Sequence, residues 1–318
     1  MQILSIQRKK RIYAIAFSPS GRELAAACSD GFLRVWNLAR GQVRQSIAIE
    51  ETQCGYDLAY LDEDRLVFAG PVELRWWDIP NNGWNVIQPG MRWMRQLRVS
   101  PDGSLLAEVD RAPSTDWAGD GLIVREIPTW KRLPELTDPT HTTGGLAFRR
   151  DGKWLATGHI LRVGERRRHF GIWPGGFPVP DYDYVVHVRE LPSGRIVHSL
   201  DGWQQGVSNL AFTPGGEILA GTAGPRLRVW DVPGGRQLAL HKRGTKHFQG
   251  LSFTADGRYL ATVSNDETVR IWDAYTWQEH KTFTWNIGKL LNIALDPEGF
   301  RAAAGSDKGQ IIVWDLDE

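Results

Sequence analysis

Residues 254–277 read TADGRYLATVSNDETVRIWDAYTW, and the rest of the chain repeats their plan, clearly in five other stretches and loosely in one. Each copy runs from an apolar residue into a turn, a short apolar run, a polar turn and a second run ending in Trp-Asp or a relic of it. Phe253 leads to Trp272, Phe17 to Trp36 and Leu295 to Trp314, each 19 residues on. Phe212 reaches Trp230 in 18, and a weaker copy runs from Tyr60 to Trp77. Two further copies keep the frame without the Trp: Val99 with SPDG and LIVRE, and Phe148 with RRDG and VHVRE. The phase residues Phe17, Tyr60, Val99, Phe148, Phe212, Phe253 and Leu295 are spaced by 43, 39, 49, 64, 41 and 42.

A period near 40–45 residues with four short strands per unit is the signature of a propeller blade. The runs are too short for helices and are bounded by Gly, Pro, Asp and Ser. They are apolar on both strand faces, as in a sheet packed on both sides. The repeat predicts an all-β chain: one seven-bladed β-propeller domain of four-stranded antiparallel blades spanning 1–318. The blades fall at about 12–49, 56–88, 96–136, 145–200, 208–240, 249–283 and 291–315. The last unit lacks an outer strand, because only three residues follow Trp314-Asp315. Residues 2–7 (QILSIQ) are expected to supply it, closing the ring and removing two sheet edges.

In the motifs FSPSG, VSPDG, FTADG, LRVWN, LRVWD, VRIWD and IIVWD the chain resembles the WD-repeat β-propeller family over essentially its whole length. The departures are specific. Most copies lack the family's Gly-His pair. Arg125 and Arg189 replace the Trp in copies three and four, and Glu126 and Glu190 replace the Asp. The family's Asp between the second and third strands survives as Asp30, Asp266 and Asp307. The resemblance therefore implies a buried hydrogen-bonded tetrad that is incomplete in every blade. Tolerant repeats without Gly-His pairs look like a bacterial-type member.

Composition excludes several functions. A net charge of +1 gives no general attraction to nucleic acid or anionic membrane. No run approaches the ~18 apolar residues of a membrane span. The short apolar start precedes Arg8, Lys9, Lys10 and Arg11, the wrong order for a secretory signal. Two cysteines, Cys28 and Cys54, make no disulfide framework, which points to reduced thiols in the cytoplasm. The eight histidines form no HExxH or Cys/His quartet, so neither a metal nor a cofactor is expected. His241 and His247 make a weak pair, and His187 reads as a strand residue.

The resemblance places the second-to-third-strand loops and the blade-to-blade loops on one face, the top, where the irregularity lies. Blade three carries DRAPSTDWAGDG. Blade four carries the longest insertion, about 159–183, with a basic run and a Gly/Pro-rich return. Long loops on rigid scaffolds tend to carry function, and Arg and Trp dominate binding hot spots. The candidate partner-binding residues are Arg11, Trp93, Arg95, Arg166, Arg167, Arg168, Trp173, Trp203, His247 and Lys289. Two bland readings stand beside this one. The Arg run could pair with Asp110, Asp116 and Asp120, and rim aromatics such as Trp285 and Phe248 could simply plug the blade tops. The expected function is a non-catalytic scaffold binding a protein or peptide on the top face. The alternatives are a binder of phosphorylated or nucleic-acid ligands through the basic loops and an enzyme at the channel mouth.

Overall fold

Six of the seven first-to-second-strand turns end in a glycine at positive φ, among them Gly103 (72°) and Gly257 (71°), a conformation other residues reach only with strain. In the SPDG and TADG copies the turn is tightened further: Asp102 accepts from Ser100 Oγ at 2.5 Å, and Asp256 accepts from Thr254 Oγ1 at 2.5 Å. These turns reverse the chain sharply, so each pair of apolar runs must lie antiparallel.

The computed structural model describes residues 1–6, 10–49, 57–70, 73–89, 96–109, 121–138, 142–168, 177–242 and 244–316. Strand β1 (Gln2–Ser5) precedes blade one, which is β2 (Ile12–Phe17), β3 (Glu23–Cys28), β4 (Phe32–Asn37) and β5 (Gln42–Ala48). Blade two is β6 (Asp57–Tyr60), β7 (Arg65–Ala69), β8 (Glu73–Asp78) and β9 (Gly83–Pro89). Blade three holds β10 (Gln96–Val99), β11 (Leu105–Val109) and β12 (Leu122–Glu126). Blade four holds β13 (Thr142–Phe148), β14 (Trp154–Arg168), β15 (Phe177–Glu190) and β16 (Ile196–Trp203). Blade five is β17 (Asn209–Phe212), β18 (Ile218–Ala223), β19 (Arg226–Asp231) and β20 (Arg236–Lys242). Blade six is β21 (Phe248–Phe253), β22 (Tyr259–Ser264), β23 (Thr268–Asp273) and β24 (Glu279–Thr284). Blade seven is β25 (Leu290–Leu295), β26 (Arg301–Ser306) and β27 (Gln310–Asp315).

The result is a seven-bladed antiparallel β-propeller. Strand β1 lies against β27, with Gln2 opposite Val313 and Ser5 opposite Gln310, so the N-terminal strand completes the last blade as the repeat predicts. Leu4 points inward and packs with Ile12, Trp36 and Ile311. That seam buries Leu4 and pairs the edge of β27 that would otherwise be an open template.

Two blades depart from the expected plan. In blade three only three strands form a sheet. The segment after β12 makes isolated bridges, Arg125 with Arg132 and Leu122 with Asp138, around a short 3₁₀ turn at Pro134–Leu136. Pro134 has no amide to donate and opens the 3₁₀ turn, which interrupts the outer strand there. In blade four the insertion is largely strand where a Gly/Pro-rich loop is expected. Strands β14 and β15 stay paired from Trp154–Glu190 out to Arg168–Phe177, with a register shift between Arg162 and Gly164. The insertion is thus a β-hairpin arm that extends the two inner strands of its own blade.

Candidate functional site

In an antiparallel blade the second-to-third-strand turns and the blade-to-blade links share one face. Arg11, His247 and Lys289 all lie there, just ahead of β2, β21 and β25, and all three are exposed. Each is pinned by the same device. Arg11 N donates to Ser29 Oγ at 2.7 Å, His247 N to Asn265 Oδ1 at 2.9 Å and Lys289 N to Asp307 Oδ1 at 3.0 Å. Each backbone carbonyl accepts the amide of the same turn residue in return, at 2.9, 3.1 and 2.9 Å. In every case the partner is 18 residues on. Three basic-type side chains therefore occupy one equivalent position on three consecutive blades: six, seven and one.

The rim aromatics are different. Trp203 is 5% exposed and stacks on Trp230 at 4.7 Å, so its ring belongs to the core between blades four and five. Phe248 is also buried, and Trp285 packs against Phe283 and Trp314. These rings plug blade tops. Trp93, Arg95 and Trp173 lie outside the described residues, as do Asp110, Asp116 and Asp120. Arg166, Arg167 and Arg168 lie on the outer part of β14, for which only the backbone pairing is described.

Inside the rim, a channel of about 1330 Å³ runs between the first strands of all seven blades. Its upper mouth is closed laterally by side chains that tie blades together. Asn292 Nδ2 donates to Ile12 O at 2.7 Å, and Asn209 Nδ2 to Gln249 O at 3.3 Å. Asp57 accepts from Leu97 N at 3.0 Å and from Arg98 Nη1 at 2.9 Å. Gln96 Nε2 skips a blade, reaching Ser208 O at 2.8 Å and Asn209 Oδ1 at 3.1 Å. Gly145 N bonds to Val207 O in a bulged β13, and a Cβ at Gly145 would meet Val207 Cγ1 at 2.9 Å.

The two Trp-to-Arg exchanges explain the chemistry between blades. In each blade the fourth-strand residue opposite the Leu, Val or Ile three before the Trp position faces the next blade. Where that next blade has Trp, the neighbour is apolar or aromatic. Ile47 packs with Trp77, Leu200 with Trp230 and Leu4 with Trp36. His241 stacks on Trp272 at 4.7 Å, and Phe283 lies 6.3 Å from Trp314. Where the next blade has Arg, the neighbour is polar: Gln88 Oε1 accepts from Arg125 Nη2 at 3.3 Å, and the Asp138 carboxylate accepts from Arg189 Nη2. In blade six the Trp is itself hydrogen-bonded: Trp272 Nε1 donates to Thr262 Oγ1 at 2.9 Å. Asp30 and Asp266 instead bind Arg34 and Arg270, each at 2.7 Å.

Blade four gathers a polar cluster at the root of the arm. Thr157 and His187 are cross-strand partners, and His159 lies two residues beyond Thr157 on the same face. The two imidazole rings are 4.6 Å apart, and Thr157 Oγ1 is 2.6 Å from His159 Nε2. Asp138 completes the group: one donor atom each from Asp138, His159 and His187 lie within 4.8 Å of one another. His159 is fully buried, and desolvation, helped by the neighbouring His187, pushes its pKa down to about 3. Burial, and then the Arg189 charge, also lower His187. Both rings are therefore neutral at pH 7. Sequence reasoning does not assemble this group, since His159 reads as the start of a loop and Asp138 as rim charge.

Three segments of the chain, 2–37, 194–231 and 238–273, match the family model described as WD domain, G-beta repeat. WD repeats thus build at least blades one, five and six of the propeller. Among similar proteins, the target of rapamycin complex subunit wat1 of Schizosaccharomyces pombe is 24% identical over 139 residues, 43% of this chain and 44% of that protein. The target of rapamycin complex subunit LST8 of Mus musculus is 24% identical over 138 residues, 42% of each chain. The nuclear distribution protein PAC1 of Yarrowia lipolytica is 23% identical along 98% of this chain and 74% of its own length. The chain thus spans less than half the length of the first two. All three relatives are eukaryotic, and they give the bacterial-type resemblance no support. Among the described residues no helix is long and apolar enough to cross a membrane.

Proposed function

We propose that the protein is a non-catalytic scaffold that binds a partner protein or peptide on its top face. The observation that carries this reading is the repeated basic position of Arg11, His247 and Lys289. A rigid backbone holds three exposed side chains at equal steps along an arc of the rim, so a partner meets them with little ordering entropy. The blade-four hairpin adds a second contact surface carrying Arg166, Arg167 and Arg168. Asp57, Gln96, Asn209 and Asn292 at the channel mouth each bond to another blade, which favours a structural role for them over catalysis. Relatives that are by name subunits of a complex support the same reading. Cys28, a buried free thiol whose pKa is pushed up to about 12 by burial, suits a reducing compartment such as the cytoplasm.

The test compares affinity capture by the intact protein with capture by Arg11→Glu/His247→Glu/Lys289→Glu. A Tyr275→Ser variant on the opposite face serves as control. Loss of the captured protein with the triple variant alone supports the reading. Equal capture by all three forms removes the rim arc. Capture of nucleic acid, weakening steeply with salt, would replace the reading with the phosphate-ligand alternative.

A further inference from the structure

We propose that Asp138, His159 and His187 form a binding site for a divalent transition-metal ion at the root of the blade-four arm. Two imidazoles and one carboxylate are the donor set of zinc and its neighbours, and they disfavour magnesium or calcium, which take oxygen donors. The donors converge from three separate strand-level segments: β14, β15 and the stretch bridging back to Leu122. Their 4.8 Å limit lies above the ~3.4 Å that tetrahedral bonds of about 2.1 Å require, a closure of side-chain scale.

A second observation points to a ligand independently. His187 Nδ1 is shielded from solvent and has no hydrogen-bond partner. A buried imidazole nitrogen in that state costs stability unless something binds it. The surroundings also supply what a metal site needs. Arg189 Nη2 donates to Asp138 Oδ2 and so holds the carboxylate in place, as an outer-shell partner orients a ligand. The Arg189 charge opposes a dication, so the site is expected to bind metal less tightly than a closed structural zinc site. Among the described residues this grouping is found in blade four: the position of His159 is Ser264 in blade six, Ser306 in blade seven and Cys28 in blade one.

Titration of the tag-free full chain with Zn²⁺ by calorimetry, and with Co²⁺ by visible absorption, tests the site. The expected result is one saturable equivalent and the intense visible bands of low-symmetry Co²⁺. His187→Gln should weaken binding at least about tenfold, while His247→Gln and His280→Gln leave it unchanged. His159→Gln risks misfolding because the ring is fully buried, so the partly exposed His187 decides the matter. Absence of saturable binding, or binding that His187→Gln does not alter, overturns the proposal. Because the rim arc lies on other blades, neither result bears on the scaffold reading.

Discussion

Arg125 Nε donates to Glu108 Oε1 at 2.9 Å with both side chains buried, 4% and 0% exposed. The two stand at the register positions that Trp272 and Thr262 hold in blade six, since Leu106 faces Arg125 as Leu260 faces Trp272. Blade three thus holds an ion pair where blade six holds a neutral hydrogen bond, and Gln88 of the preceding blade also accepts from Arg125. An unpartnered Arg there would strand a charge in the core. Glu108 and Gln88 make the buried guanidinium tolerable.

Removing only one partner should be severe. Glu108→Ala leaves Arg125 buried, and we expect a loss of about 3–5 kcal/mol. The double variant Arg125→Trp/Glu108→Thr, which rebuilds the blade-six pair, should recover most of it. Urea unfolding of the three proteins decides this. A Glu108→Ala loss within about 0.5 kcal/mol, the range of ordinary surface changes, would show that the pair does not matter.

The ring seam gives a second contrast. Leu4 is buried against β27, and its neighbour Ile3 faces outward. Leu4→Ala should cost about 2–5 kcal/mol, whereas Ile3→Ser should stay within about 0.5 kcal/mol. Thermal melts with a light-scattering readout would also reveal aggregation through an opened edge. Equal behaviour of the two variants would mean that the seam does not hold the ring.

Acid sensitivity follows from the turns. The Ser100 hydroxyl bonded to Asp102, and the Thr254 hydroxyl bonded to Asp256, hold these carboxyls below the usual range. Their contribution is fully present above the unfolded value of about pH 4 and is lost as pH falls through the lower folded values. Asp102→Asn/Asp256→Asn should therefore be less stable at neutral pH and lose less stability on acidification. Urea midpoints measured at several pH values would show the two curves converging. Parallel curves would contradict the assignment.

Gly145 tests the close approach of β13 to blade five. A methyl group there meets Val207 and Leu210 side chains at 2.9 and 3.0 Å. Gly145→Ala should cost about 1–3 kcal/mol by overpacking and loosen the Gln96 bridge to blade five. Hydrogen exchange at the Gln96 side-chain amide would report the bridge.

The repeat made the propeller legible, because the Gly turns and the Trp-Asp ends mark strand boundaries directly. The closing strand was legible from a blade that ran short. The arm was not, since GERRRHFGIWPGG lacks the alternation that marks a strand, and backbone pairing alone extends β14 and β15 into it. The rim arc left a signal that only the structure makes plain: the constant 18-residue step from Arg11, His247 and Lys289 to Ser29, Asn265 and Asp307. Trp203 looked like rim from its neighbours Asp201 and Gly202, yet its ring turns inward onto Trp230. The Asp138–His159–His187 group spans three segments, so no local spacing announces it. Its clue was chemical: an Arg in place of Trp needs a carboxylate opposite.

Strand β1 also has a history. It leaves the ribosome some three hundred residues ahead of β27, the strand that covers it. At roughly 5–20 residues per second, Leu4 waits on the order of 15–60 seconds for its partner. Throughout that interval Leu4 can meet Ile12 and Trp36 of blade one, but not Ile311, and the backbone of β1 has no strand to pair with. The seam that seals the finished ring is therefore also the point at which a half-made chain most needs shelter, whether from a chaperone or from the growing blades themselves.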